Sequence, residues 1–172
     1  MEISVEVIKS LREQSGAGIM ACRKALLEAQ GDIEKALELI GQRGRLQALK
    51  KASRVATQGI VGAYIHTGGR IGAMVEVNCE TDFVARTDEF RELVHHLAMQ
   101  VAAMNPQVIS EEEASETSDA EPQTACLLLQ ADIKDPAKTI GDIINETIAR
   151  VGENIKVSRF ARFELGEQGR DK

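Results

Sequence analysis

Aromatic residues are scarce in this chain. Its 172 residues include no tryptophan, one tyrosine and four phenylalanines. A core built from alanine, valine, isoleucine, leucine and methionine is therefore expected. An aromatic residue that falls outside the hydrophobic pattern becomes a candidate for function.

Excess positive charge is also missing, since the formal net charge is −6. A protein that works mainly on a phosphate backbone is usually basic, so no direct nucleic-acid partner is expected. Residues 42–54 are the exception, because this stretch is basic and contains no acid. A solvated helix face is the favoured interpretation, and a contact with RNA or the ribosome is the other; without interleaved aromatics, stacking on single strands is disfavoured. The basic residues are Arg43, Arg45, Lys50, Lys51 and Arg54.

Disulfide patterns and long hydrophobic runs are absent as well. The three cysteines are widely spaced and form no CxxC pair, which fits a reducing compartment. The first residues lack a basic stretch followed by an apolar run, and no segment approaches the roughly 20 apolar residues of a membrane span. We therefore expect a cytoplasmic location, no signal peptide and no membrane partner.

Common catalytic and ligand-binding motifs are missing too. The chain has no GxxxxGK[ST] loop, no HExxH and no GxSxG. His95 and His96 are adjacent on a predicted helix and point about 100° apart, so a shared metal is disfavoured. Cys79 with either histidine could form a cysteine enzyme, but a free cysteine ending an apolar strand is more often a small buried hydrophobe. We expect a binding protein that is not an enzyme and has no cofactor and no metal site.

The first 54 residues are predicted to form a helical domain. Ser4 and Asp32 are good N-caps, and residues 1–41 have the pattern of three short helices. The first helix should stop near residues 16–18, and the second should run from about Ile19 to Gln30. The basic stretch 42–54 is predicted to be a helical linker. A small bundle of this kind is usually a binding module.

Residues 55–172 are predicted to form an α+β core with a small antiparallel sheet packed by helices. From Gly59 the apolar period changes to two, which predicts a β-hairpin with one apolar face and a turn at 67–69. Its apolar face would contain Val61, Ala63, Ile65, Ile71, Ala73, Val75 and Val77. A loop over 79–86 should follow, and then a helix that is capped by Thr87 or Asp88 and ended by residues 105–106.

The second half of the core is expected to return to the sheet. The acidic stretch 111–121 predicts a polar surface loop, and the apolar run 126–129 indicates a short strand. A helix is predicted over 136–151 and a final strand over 155–165. In that strand Ile155, Val157, Ala161, Phe163 and Leu165 would share one face and Phe160 the other. A strand with apolar side chains on both faces must be covered on both faces, and another subunit could cover the second face.

Phe83 is the aromatic residue that stands out, because it lies in the predicted loop behind an acidic residue. Phe83 and Val84 could fold back and fill the core below the next helix, which composition alone favours. Alternatively, Phe83 could project into a pocket of a partner, since aromatic anchors dominate many interfaces.

Residues 78–85, with the sequence NCETDFVA, closely resemble a signature of the translation elongation factor Ts family. Residues 11–26, LREQSGAGIMACRKAL, resemble the other signature of that family. Residues 31–32 and 151–155 are similar to it as well. The resemblance covers essentially the whole chain, with two long motifs in the expected order.

The resemblance implies a function and a set of site residues. Members exchange the nucleotide of elongation factor Tu, a GTPase, and bind it both with GDP and without nucleotide. The N-terminal domain would be ubiquitin-associated-like and would dock on that partner through Leu11, Arg12, Ile19 and Met20. The core would insert Phe83 near the magnesium and switch region of the partner, accompanied by Asp82 and supported by Thr81 and Val84.

Long members of the family have a second core subdomain and a helical hairpin insertion, and this chain is expected to have only one core half. Short members resembling it associate as homodimers, and the two-faced strand 155–165 independently favours a homodimer here. The alternative function is a ubiquitin-associated-like adaptor that binds another partner or nascent chains, in which residues 81–84 would be structural.

Overall fold

The computed structural model describes residues 3–113 and 121–167. Within these residues the chain has seven α-helices and one three-stranded antiparallel sheet, which confirms the expected α+β class. The elements are α1 Val5–Ser15, α2 Ile19–Glu28, α3 Ile33–Lys51, β1 Gln58–Ile65, β2 Ile71–Cys79, α4 Asp82–Ala85, α5 Asp88–Met104, α6 Pro122–Ala125, α7 Ile140–Val151 and β3 Ile155–Glu164. None of the described helices is both long and apolar enough to cross a membrane.

Helices α1 to α3 pack around a small core of their own. The Ser4 hydroxyl accepts a hydrogen bond from the Val7 amide, and Asp32 caps α3 by accepting from the Lys35 amide at 3.1 Å. The predicted N-caps are therefore confirmed. The buried side chains of this core are Leu11, Cys22, Ala25, Leu26, Ala29 and Ala36.

The predicted third helix and the predicted linker are one continuous helix of 19 residues, α3. Its second half packs on α7, where a Cβ at Gly44 would lie 3.8 Å from that of Ala149. Glycine lowers helix propensity but does not stop a helix that is held by packing. The prediction of a short third helix is therefore wrong in length.

The sheet has the order β1-β2-β3, and α5 covers one of its faces, while α7 packs on α5 and α3 and joins the same core. Ala73, Val75, Val77 and Cys79 of β2 are buried on that side, as the alternation predicted. The core to which they belong also includes residues of α5 and α7, namely Phe90, Val94, Leu97, Ile140, Ile144 and Ile148.

Strand β1 faces the opposite way from the prediction. Directly paired residues of antiparallel strands share a face, and Val61 pairs with Glu76 while Gly62 pairs with Val75. Val61 and Ile65 are therefore exposed, and Ile60 and Tyr64 pack on the core. The reason lies at Gly62, where a Cβ would be 2.4 Å from the Val94 Cγ1, so α5 crosses β1 where that strand has no side chain. The hairpin does not have a single apolar face.

Strand β3 contains a bulge, beyond which the side chains lie on the opposite faces of the sheet from those that strict alternation predicts. Val157 pairs with Val77 and Arg159 pairs with Glu76, so Ser158 is an extra residue in the ladder. Ile155 and Val157 face the core before this bulge, and Phe160 faces it afterwards. The prediction that Ala161, Phe163 and Leu165 share a face with Ile155 is wrong, because all three are exposed on the open side.

Three smaller predictions are also corrected. The loop 79–86 contains the one-turn helix α4. The run 126–129 is not a strand: Cys126 forms an isolated bridge with Val108, and Leu127–Leu129 is a 3-10 turn. Helix α7 begins at Ile140, because Thr139 and Asp142 form a capping box there. Of the acidic stretch, Glu111–Glu113 is a 3-10 turn and residues 114–120 lie outside the described part.

Candidate partner-binding site

Phe83 projects from the surface at the tip of α4, where its side chain is 78% exposed. The Thr81 hydroxyl caps α4 by accepting from the Val84 amide at 3.4 Å. Val84 is half-buried against the main core, and Ala85 is buried. Phe83 therefore projects into solvent, as the partner-binding interpretation of this segment predicts. Val84 packs against the core, as the interpretation of a buried segment predicts.

Asp82 stands beside Phe83 and forms an ion pair with Arg86, one turn further along, at 2.8 Å. Both side chains are exposed, so this pair contributes little to stability. Arg86 was not singled out from the sequence, because the i,i+4 spacing has meaning only once α4 is known to be a helix.

The base of the segment is held by Glu153, which follows α7. Its carboxylate accepts hydrogen bonds from the backbone amides of Glu80 and Thr81 at 3.1 and 3.0 Å, and from the Thr81 hydroxyl at 2.6 Å. In return, Glu80 accepts from the Asn154 amide at 2.7 Å. Sequence reasoning noted residues 151–155 only as part of the family resemblance and gave Glu153 no role.

Cys79 lies directly below this segment and is fully buried. Burial raises the pKa of its thiol, and the nearby Glu153 carboxylate raises that pKa further. The protonated thiol donates to the Thr81 carbonyl at 3.1 Å. His95 packs edge-on against Tyr64, and His96 pairs with Asp132 at 2.5 Å. This environment is that of a structural cysteine, because a nucleophile needs a lowered pKa.

The predicted docking residues lie around the break between α1 and α2. Arg12, Ile19 and Met20 are exposed, whereas Leu11 is fully buried in the core of the three-helix domain. Ser15 shapes the break, because its hydroxyl donates to the Leu11 carbonyl and accepts from the Ala17 amide.

The docking residues and residues 81–84 lie on different elements, and the end of α7 contacts both regions. At the α1–α2 break, Gly16 adopts a left-handed conformation, and a Cβ there would lie 2.9 Å from Arg150 Nη1. Three residues after Arg150, Glu153 binds Thr81. The two regions are therefore connected through one helix end.

Three of the five basic side chains in the stretch 42–54 form ion pairs with acids outside it. Arg43 pairs with Glu28, Arg45 with Asp142 at 3.5 Å, and Arg54 with Glu80 at 3.5 Å. Among residues 3–113 and 121–167, no group of three or more acidic, histidine or cysteine side chains is arranged to hold a metal ion.

The family model described as Elongation factor TS matches residues 2–122 and 80–170, so the two matches span nearly the whole chain. The chain belongs to the elongation factor Ts family. It is 48% identical to Elongation factor Ts of Thermoanaerobacter sp. (strain X514) over 195 aligned positions, covering 96% of each chain. It is 46% identical to that of Thermotoga neapolitana, covering 98% of this chain and all of the relative. Elongation factor Ts of Moorella thermoacetica is also 46% identical, with 96% of each covered.

Membership of the elongation factor Ts family makes this chain a translation elongation factor of protein biosynthesis. The family resemblance drawn from residues 11–26 and 78–85 is thereby confirmed.

Proposed function

We propose that this protein is the nucleotide exchange factor for the GTPase elongation factor Tu, and that residues 81–84 promote GDP release by entering the partner near its magnesium and switch region. The observation that carries the proposal is Phe83, an exposed aromatic on a firmly held turn in a member of the elongation factor Ts family.

Insertion of Phe83 is energetically reasonable. Moving one phenylalanine side chain from water into an apolar pocket contributes about 1.5–3 kcal/mol. Exchange requires that the factor bind the nucleotide-free partner more tightly than the GDP-bound partner. By linkage, GDP then weakens the factor to the same extent. Disturbing magnesium is effective because the ion bridges protein and phosphates.

The three-helix domain supplies the docking surface in this proposal. Arg12, Ile19 and Met20 offer exposed charge and apolar area beside the α1–α2 break. Leu11 acts from beneath, because its fully buried side chain fixes α1 against the rest of the domain. The domain then works as a ubiquitin-associated-like module that keeps Phe83 close to its target.

The proposal needs no covalent chemistry, and we infer that the protein is not an enzyme and takes no cofactor. The raised pKa and full burial of Cys79 support this. The ion pairs of Arg43, Arg45 and Arg54 support the absence of a direct nucleic-acid partner. All three cysteines are free and buried, which supports a cytoplasmic location.

We further propose a homodimer formed through the open face of the sheet. The side of the sheet opposite α5 and α7 exposes apolar residues from all three strands and from the residue after β3. A patch of this kind on a small protein marks an interaction surface, and the family's short members, as the resemblance implies, pair two core halves. The exposed apolar residues are Val61, Ile65, Met74, Phe163 and Leu165.

Release of fluorescent GDP from purified elongation factor Tu tests the exchange function. Phe83→Ala should lower the maximal release rate about tenfold, because roughly 1.4 kcal/mol of preferential binding is lost. Met20→Ala should instead raise the concentration needed for half-maximal release. Leu49→Ala, which removes an equally exposed apolar side chain from α3, serves as the matched control and should change neither value.

Two results would contradict the proposal at different levels. A parent protein that does not speed GDP release has another partner, as the adaptor alternative states. A Phe83→Ala variant as fast as the parent leaves exchange in place but removes the role of residues 81–84.

A further inference from the structure

The Glu153 carboxylate lies beneath the 81–84 segment and receives three hydrogen bonds from it. Two come from consecutive backbone amides, those of Glu80 and Thr81, and the third comes from the Thr81 hydroxyl. Bonds of this kind to an ionised acceptor are about twice as strong as neutral ones. Glu153 therefore fixes both the position and the direction of the residue that caps α4.

Glu153 belongs to a reciprocal connection that reaches the end of α3. The Asn154 amide donates to the Glu80 carboxylate at 2.7 Å. The buried Asn154 side chain donates to the carbonyl of Arg54 at 2.9 Å and to that of Ala52 at 3.4 Å. Both carbonyls lie just after α3, the longest helix of the docking domain.

Helix α4 cannot hold Phe83 in place by itself. It has only four residues, and a single helical turn is unstable in isolation. Phe83 itself is exposed, so its side chain adds little anchoring within this chain. Val84 and Ala85 pack on the core from one side only, which leaves the start of α4 to external hydrogen bonds.

From this geometry, and resting on the proposed exchange function, we propose that Glu153 is a positioning residue for nucleotide release. It holds Thr81 so that Phe83 keeps a fixed place relative to the docking surface on α1 and α2. Glu153 acts through Thr81 and Phe83 and does not need to touch the partner.

Three variants of the full-length chain test the proposal in the GDP release assay. Glu153→Ala removes all three acceptor contacts, whereas Glu153→Gln keeps one acceptor oxygen. Glu112→Gln makes the same charge change at an exposed carboxylate on the Glu111–Glu113 turn and serves as the control. Circular dichroism selects a temperature at which every variant is folded.

The maximal release rate should fall about tenfold for Glu153→Ala, as expected when the charge-assisted hydrogen bonds that position Thr81 and Phe83 are lost. The maximal release rate of Glu153→Gln should lie between those of Glu153→Ala and the parent. The factor concentration for half-maximal release should stay unchanged, because the docking surface is intact. If Glu153 only stabilised the fold, its substitution would lower the fraction of active protein. The factor concentration for half-maximal release would then rise, and the maximal rate would stay unchanged.

A double variant shows whether Glu153 works through Phe83. If it does, Phe83→Ala/Glu153→Ala should release GDP no more slowly than Phe83→Ala alone. Additive losses would mean that Glu153 acts elsewhere, and would overturn the proposal.

The remaining outcomes separate this proposal from the one on which it rests. If Phe83→Ala is slow and both Glu153 variants match the parent, the positioning role is wrong and the exchange mechanism stands. A rise in the half-maximal concentration at an unchanged maximal rate also overturns the positioning role. If Phe83→Ala matches the parent, the mechanism through residues 81–84 fails, and the role of Glu153 fails with it.

Discussion

Phe83 and Val84 are adjacent in the sequence but have opposite environments. Successive residues of a helix point about 100° apart, so the single turn of α4 directs Val84 to the core and Phe83 to solvent. Composition favoured burial for both, because it treats a loop as a whole. The hydrogen bond from the Val84 amide to the Thr81 hydroxyl caps a helical turn within the loop. This turn gives the two side chains their different environments.

Two glycine positions should respond oppositely to the same substitution. Gly62→Ala should destabilise the protein by about 1–3 kcal/mol, because the new methyl group would lie 2.4 Å from Val94 Cγ1. Gly41→Ala should stabilise it by about 0.5–1 kcal/mol, because Gly41 lies within α3 and a Cβ there meets nothing within 4 Å. Urea unfolding followed by circular dichroism measures both changes.

The pair also tests the reason given for the direction of β1. If Gly62→Ala is as stable as the parent, close approach of α5 does not determine which side of β1 faces the core.

At the level of elements, the starts of α1, α3 and α5 were predictable because capping signals are local. Ser4, Asp32 and Thr87 cap the helices that follow them, as their residue types indicate. The local capping box of Thr139 and Asp142 was missed, so α7 was predicted to begin too early. The errors in the sheet have another cause, because they concern side chains whose position depends on distant residues. The faces of β1 depend on Val94, and the bulge in β3 depends on its pairing with Glu76 and Val77.

The segment between α5 and α7 shows the same limit of sequence reasoning. Its path depends on buried polar groups that have no periodic pattern. The side-chain amide of Gln130 donates to the Thr124 carbonyl at 2.7 Å, and the side-chain amide of Gln100 donates to the Ala131 carbonyl at 3.1 Å. An apolar run such as 126–129 is read as a strand when these side-chain contacts are unknown. The exposed Phe83 was identified as a candidate, but its support from Glu153 could not be, because the two are distant in sequence.

Deletion of Ser158 should leave the faces of β3 unchanged, because Val157, Arg159 and Phe160 would then alternate regularly opposite Val77, Glu76 and Val75. Deletion of both Ser158 and Arg159 should instead turn the half-buried Phe160 to the open face and cost up to about 3 kcal/mol. Thermal unfolding compares the two deletions, and similar melting temperatures would mean that the bulge does not determine the faces.

For the whole molecule, the open face of the sheet is the proposed dimer contact. Phe163→Glu places a charge within the proposed dimer contact, where burial without a partner is unfavourable. Sedimentation equilibrium should show a dimer for the parent and a monomer for this variant. Leu49→Glu is the control, because Leu49 on α3 and Phe163 are both 71% exposed, and it should remain dimeric.

A parent protein that sediments as a monomer and still exchanges nucleotide at full rate would rule out the functional dimer. A dimer that persists in Phe163→Glu would place the contact on another surface.

The continuity of α3 has a consequence for how this protein can change over evolution. The helix of 19 residues is about 28 Å long, and each residue added to it turns everything beyond the insertion by about 100°. One inserted residue would therefore rotate the proposed docking surface away from Phe83 and separate Gly16 from Arg150. Insertions and deletions should be selected against in α3 and accepted more readily in the surface segment around residue 111.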